Sequence, residues 1–320
     1  MGESRDLRKR LDALNRRPLP PQTRHAADVE EVRRKLRKTQ HEVPEPSTQP
    51  IQYRRDIPRE EPAVRRRRLV HEHIGLTEGV QGEEVLAPDG GPAYVIAERP
   101  SHRGEYWTEL CEKFCESLRR SESGVRRRLA ELCCAPDFSP GELIFVDLET
   151  TGLAGTPLFL IGTMTVEDGG LLVRQYLARD YSEERAVISL FLDVLSGKRL
   201  LVSFNGKSFD LPYVRVRAVA NGMPFEADLP HLDLLHECRR AWRHALPDCK
   251  LQTLERHICG RARHSDIPGC EIPEAYHAFV RTSNAAEMVE ILEHNVLDLL
   301  TLADLLLRLP GHNSRADTAM

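Results

Sequence analysis

The 320-residue sequence predicts an α/β fold: a mixed β-sheet flanked by helices, preceded by a basic and mostly disordered N-terminal arm. Three observations predict it. Three apolar runs follow one another between about residues 143 and 177, two of them joined by the hairpin-type turn Asp168-Gly169-Gly170. Helical and strand patterns then alternate to about residue 309, the signature of helices packed on a sheet. The charge is also split. Residues 1–70 carry 19 Lys or Arg against 11 Asp or Glu, and the remainder carries 26 against 38, within a total of −4.

The elements can be justified in order. Residues 1–68 hold Pro18-Leu19-Pro20-Pro21, a polar Pro44–Pro50 stretch and the Arg65–Arg68 run, with few aromatics, and read as largely disordered. Within them, residues 27–38 suit a short charged helix. Residues 69–140 form an ancillary segment. Its stretch 75–97 has the glycine punctuation of a small β element. Its stretch 106–132 has Trp107, Leu110, Phe114 and Leu118 at helical spacing. The main domain covers 141–310 and a tail covers 311–320. In the main domain 143–149, 158–166, 171–177 and 199–204 read as strands. Residues 183–195 and 210–220 read as helices, the second stopped by Asn221-Gly222. Residues 232–235 are a short strand or a helix start, and further helices fall near 251–258, 273–281 and 285–309.

Composition narrows the function classes. The start of the chain lacks the apolar core of a signal peptide, and no run approaches the roughly 18 apolar residues of a membrane span. The chain is therefore expected to be cytoplasmic, with no membrane partner. Its eight cysteines form no Cys-x-x-Cys pair, so reduced thiols are expected. A basic arm on an acidic body suits a protein whose arm neutralises phosphates, and equally a solvated tail.

The chemistry lies in three acidic motifs. Asp147 and Glu149 alternate on one face at the end of the first main-domain strand. Two carboxylates held together repel, and burial raises their pKa values unless cations neutralise them, so oxygen-seeking magnesium or manganese suits them. Taken alone, the pair also suits a solvated strand end. Asp210 closes the loop Asn205-Gly206-Lys207-Ser208-Phe209, which follows a strand where α/β proteins place ligands. It is also a reasonable helix cap. His294 and Asp298 are four apart on the long apolar C-terminal helix and share a face.

In order and spacing, these motifs resemble the DEDD exonucleases. The stretches 145–155 (Phe-Val-Asp-Leu-Glu-Thr-Thr-Gly-Leu-Ala-Gly), 203–212 (Ser-Phe-Asn-Gly-Lys-Ser-Phe-Asp-Leu-Pro), 229–236, 266–269 (Asp-Ile-Pro-Gly) and 293–298 (Glu-His-Asn-Val-Leu-Asp) resemble the YprB-like branch of the ribonuclease H-like superfamily. The resemblance covers about half of the chain and none of residues 1–68. It implies a ribonuclease H-like sheet and 3′-to-5′ phosphodiester hydrolysis with two Mg2+ or Mn2+ ions. Asp147 would bridge both ions, Glu149 and Asp298 would complete the nucleophile-side ion, and Asp210 would hold the other through water. His294 would orient or deprotonate the attacking water, as a near-neutral imidazole can. Its four-residue distance from Asp298 is the spacing of the tyrosine-type enzymes, and Asn295 is the neighbouring polar alternative.

The resemblance also implies that Thr150, Thr151, Gly152 and Leu153 approach the terminal nucleotide of a single-stranded or 3′-ended DNA or RNA. Phe204, Asn205 and Phe209 suit a base and sugar pocket, although both aromatics suit core packing as well. Lys207 suits a phosphate contact or plain solvation. His231, Asp233 and His236 read as structural groups or helix-start caps. His257, Cys259, His264 and Cys270 match no zinc spacing, and Cys111 and Cys115 read as helix packing. Three functions stay open: an exonuclease, a structure-specific endonuclease, and a non-catalytic nucleic-acid-binding or scaffold protein on the same fold. A missing acid would favour the last, and none is missing.

Overall fold

A computed structural model describes residues 73–132, 134, 137–152, 155–225, 229–263 and 266–310. The described chain begins with a single helical turn α1 (Leu76–Gly79), strands β1 (Glu83–Leu86) and β2 (Pro92–Glu98), and helices α2 (Glu105–Arg119) and α3 (Gly124–Leu132). Strands β3 (Leu143–Thr150), β4 (Leu158–Glu167) and β5 (Gly170–Leu177) follow, then α4 (Glu184–Leu195), β6 (Leu200–Ser203), α5 (Asp210–Ala220) and β7 (His231–Asp233). Helices α6 (Leu234–Trp242), α7 (Leu251–His257), α8 (Ile272–Thr282) and α9 (Ala286–Arg308) complete it.

Seven strands form one sheet in the order β1-β2-β5-β4-β3-β6-β7. The β4–β5 hairpin turns through Asp168 (φ 52°) and Gly169 (φ 75°). Two successive left-handed residues match the twist of a tight hairpin. Strand β3 pairs antiparallel with β4 and parallel with β6, and β6 pairs parallel with β7. The carboxyl ends of β3, β6 and β7 therefore open on one edge, where parallel strands present their ligand-binding loops.

The alternation of β3 assigns its side chains to two layers. Ile144, Val146 and Leu148 enter a core with Val187 and Phe191 of α4 and Val214 of α5. Leu143 and Phe145 enter a second core with Phe114 of α2 and Leu299 and Leu300 of α9. Asp147 and Glu149 continue the row of Leu143 and Phe145, so they face the α9 side of the sheet.

The helical pattern at 106–132 resolves into two helices, broken at residues 120–123. The stretch expected as an ancillary β element joins the main sheet: β2 pairs with β5 from Tyr94–Leu177 to Glu98–Val173. Helix α2 covers the face opposite α4, and its Cys111 and Cys115 are buried in that layer. Burial pushes the Cys111 thiol up to about 12, so it serves as an apolar packing group. The expected arm at 1–68, its helix at 27–38 and the tail at 311–320 lie outside the described residues.

Candidate active site

Asp147 sits on β3 in register with Gly162 of β4, which is itself in register with Gln175 of β5. Asn295 of α9 lies across this row. Gln175 Nε2 donates to Asn295 Oδ1 at 2.8 Å, and Asn295 Nδ2 donates to Asp147 Oδ2 at 2.8 Å. A Cβ at position 162 would overlap the Asn295 amide, so the glycine lets α9 descend onto the sheet. Asn295 is fully buried and its amide is committed to Gln175 and Asp147. Its Nδ2 therefore donates to the Asp147 carboxylate rather than to solvent. Gly162→Ala is expected to cost about 1–3 kcal/mol of stability through overpacking and to lower any turnover that depends on Asp147. A variant that melts and reacts like the wild type would show that the Asn295 contact is dispensable.

Asp210 reaches the same place from the first turn of α5. Its loop turns through Asn205 in the left-handed region (φ 66°), which Asn tolerates better than most residues. A Cβ on Gly206 would overlap Ser203 Oγ and stand 2.7 Å from Asp210 Oδ2. Asp233 holds the loop from below: the Asn205 and Lys207 N–H groups donate to its two oxygens at 2.8 and 3.1 Å. Asp233 also caps α6 by accepting from Leu235 N at 3.0 Å. His231 meets Ser203 Oγ through Nε2 at 2.7 Å, and burial pushes its pKa down to about 4. His236 is exposed, with Nε2 3.9 Å from Asp233. Asp233 thus caps α6 and holds the Asp210 loop, and His231 meets the end of β6.

His294 and Asp298 come from the middle of α9. His294 Nε2 stands 3.5 Å from Asp298 Oδ2 and 4.0 Å from Glu149 Oε1. Its Nδ1 is 2.6 Å from Asp266 Oδ1. The other Asp298 oxygen accepts from Arg263, a nearly buried guanidinium that also meets Glu255 at 2.7 Å and Asp266 at 3.4 Å. Asp266 and Arg263 were not among the expected site residues. They lie in the irregular 258–271 segment, where no periodicity points a side chain anywhere.

The electrostatics show how closely the groups are gathered. Burial, then the charges of Asp298, Glu149 and Asp210, push Asp147 well above the usual carboxylate range, against the stabilising bond from Asn295. Burial is also the main cause that lifts Glu149 to about 8, with Asp298, Asp210 and Asp266 adding to it and His294 opposing. Asp210 rises to about 7 through burial and the charges of Asp233 and Asp298, partly offset by a backbone hydrogen bond. Burial alone would lower His294, but the bond to Asp266 and the charges of Asp298, Glu149 and Asp266 outweigh it and hold the ring at about 9. Buried carboxylates that repel one another are hard oxygen donors short of cations, so this donor set fits Mg2+ or Mn2+. Among the described residues no three His, Cys, Asp or Glu side chains already stand in metal-binding geometry.

The other expected contacts divide. Thr150 and Thr151 spend their hydroxyls on the loop, donating at 2.9 Å to Gly152 O and Pro157 O respectively. Gly152 has φ 151°, and Leu153 lies outside the described residues. Phe204 and Phe209 are half-buried, packed against opposite core layers. Asn205 and Lys207 are exposed on the loop that delivers Asp210. Cys259 is buried while His257 and Cys270 are exposed, and His264 lies outside the described residues. Among the described residues, no helix is long and apolar enough to cross a membrane.

The 3-2-1-4-5 arrangement of β5, β4, β3, β6 and β7, with acids on its first strand, defines a ribonuclease H-like domain. The chain belongs to the RNase_H superfamily, whose family profile matches residues 144–309. It is 34% identical over 193 residues to the "Uncharacterized protein YprB" of Bacillus subtilis (strain 168), an alignment covering 58% of this chain and 45% of that protein. The chain thus spans less than half of that relative's length. It is also similar to the family B DNA polymerase from the hyperthermophilic archaeon Pyrobaculum calidifontis, at a TM-score of 0.44 and 18% identity over 52% of this chain and 24% of the polymerase.

Proposed function

We propose that the chain is a metal-dependent nuclease that hydrolyses phosphodiester bonds of DNA or RNA from a 3′ end. One observation supports this most: Asp147, Glu149, Asp210 and Asp298 are drawn together from a strand and two helices, and burial with the neighbouring charges, that of Asp298 among them, raises the proton affinity of Asp147, Glu149 and Asp210. Gathering four acids there is costly unless cations are to be held. Asp147, Glu149, Asp210 and Asp298 would hold two Mg2+ or Mn2+ ions. When bound, such ions stabilise the attacking and leaving oxygens and acidify water.

The remaining work falls to side chains of the chain. His294 presents Nε2 toward Glu149 and Asp298, where it can orient water or take its proton. In the metal-free acid cage its ring is held protonated at neutral pH. Neutralising Glu149 and Asp298 would withdraw part of what raises it, while the bond to Asp266 would remain. Lys207 and Asn205 stand on the exposed loop beside Asp210, suited to a phosphate or sugar. The arm at 1–68 would add sequence-independent affinity for the phosphate backbone. The test is digestion of 3′-labelled and 5′-labelled DNA and RNA oligonucleotides with Mg2+ or Mn2+. Stepwise loss from the 3′ end is the expected result. Internal cuts would indicate an endonuclease, and no cleavage of any substrate would favour a non-catalytic binding protein.

A further inference from the structure

Asp266 is not one of the four gathered acids, yet it makes the shortest polar contact of the proposed water-facing side chain. Its Oδ1 is 2.6 Å from His294 Nδ1, while the opposite ring nitrogen faces Asp298 at 3.5 Å and Glu149 at 4.0 Å. We propose that Asp266 is the positioning residue of this site, fixing the His294 ring and keeping a proton on Nδ1 so that Nε2 is the nitrogen offered to the reacting water. The proposal rests on the nuclease reading for its catalytic consequence, but the Asp266–His294 bond itself does not.

The geometry around Asp266 suits that role. An imidazole without a partner at Nδ1 rotates and exchanges its proton between two nitrogens, and a carboxylate on one nitrogen removes both freedoms. Both side chains are only 12% exposed, so water competes little for the bond. The far oxygen of Asp266 is also held. Gln252 Nε2 of α7 donates to Oδ2 at 3.0 Å, and Arg263 Nη1 stands 3.4 Å from it. Arg263 is in turn seated on Glu255, which also receives Arg261 Nη1 at 2.7 Å. Buried Ile267 anchors the backbone immediately after Asp266. Arg261, Arg263, Asp266 and Ile267 are thus tied to α7, α9 or the core, and Asp266 places its carboxylate at the back of the His294 ring.

Two measurements test this on the full-length protein. In the metal-free protein, 15N-labelled at histidine, the His294 ring N–H should give a downfield, slowly exchanging proton resonance, identified by its loss in His294→Ala. Asp266→Asn should abolish or shift that resonance, and its survival unchanged would overturn the proposal. In single-turnover cleavage with Mn2+, Asp266→Asn should slow the chemical step by about 10²–10⁴-fold, the range expected when a catalytic imidazole loses its tautomer-fixing carboxylate. Oligonucleotide affinity and Mn2+ affinity should stay within about twofold of wild type, because the residue acts on the transition state. Asp266→Glu, which keeps the carboxylate, should recover at least about tenfold of the loss on the same argument. The deciding comparison is the double variant: His294→Ala/Asp266→Asn should be no slower than His294→Ala alone. Additive losses would assign Asp266 to the Arg263–Asp298 side of the site instead and overturn the proposal. If the wild type cleaves nothing, the nuclease reading fails, while the N–H resonance still decides whether Asp266 holds the ring.

Discussion

Asp147→Asn is expected to lower turnover by about 10³-fold or more. A bound divalent ion supplies several kcal/mol of transition-state stabilisation, and each 1.4 kcal/mol or so is worth about a factor of ten. Burial and the charges of Asp298, Glu149 and Asp210 all bear on the Asp147 carboxyl. The substitution is conservative for the fold. The side-chain carbonyl oxygen of the introduced asparagine can still accept from Asn295 Nδ2, which in the wild type donates to Asp147 Oδ2 at 2.8 Å. The expected signature is therefore loss of activity and of calorimetric Mn2+ binding together, with no loss of thermal stability. His294→Ala should separate the two, lowering the rate by about 10²–10⁴-fold as for a lost general base while Mn2+ binding stays near wild type. Normal cleavage by Asp147→Asn would remove the whole assignment of the site.

How far the sequence could be read depended on where each residue sits. Spacing placed Asp147 and Glu149 on one strand face and His294 and Asp298 on one helix face, but that these residues form one site rested on the resemblance to a known family. Asp210 was legible from its place after a strand. The pairing of β2 with β5 was not, because it joins residues about 80 positions apart and no local pattern encodes a long-range register. The partners of Asn295 were not legible for the same reason. Beside His294 it reads only as a neighbouring polar alternative, whereas Gly162 opens the sheet beneath it and Gln175 takes its other end. Arg263 was missed, and Asp266 was noted only as the start of the 266–269 stretch, because in irregular chain only the folded path brings Arg263 to Asp298 and Asp266 to His294.

The metal-free protein is expected to lose stability as pH rises from about 6.5 to 8, above the range in which His231, lowered to about 4 by burial, acts in the opposite direction. A saturating divalent ion should flatten that slope. The sign follows from the directions of the shifts. Asp147, Glu149 and Asp210 have folded pKa values raised above their ordinary ones, Glu149 to about 8 and Asp210 to about 7. Between the unfolded and folded values the native state binds more protons than the unfolded chain, so stability falls with pH. His294, raised to about 9, acts in the same direction. Its stabilising contribution is complete below its ordinary value near 6.5 and is lost as pH rises through the folded value. Asp266 is displaced downward, net of burial, by its bond to His294, so its contribution changes only at lower pH and leaves this window alone. At about 1.4 kcal/mol per pKa unit, and with the acids coupled so that their shifts do not simply add, the combined effect is a few kcal/mol. Chemical denaturation in EDTA across this range, repeated with Mn2+, measures it. Asp147→Asn should show a shallower slope than wild type in EDTA, since one repelling carboxylate is gone. A flat profile in EDTA, or the same slope with Mn2+ as without, would mean that the four acids do not act as one buried, cation-seeking site.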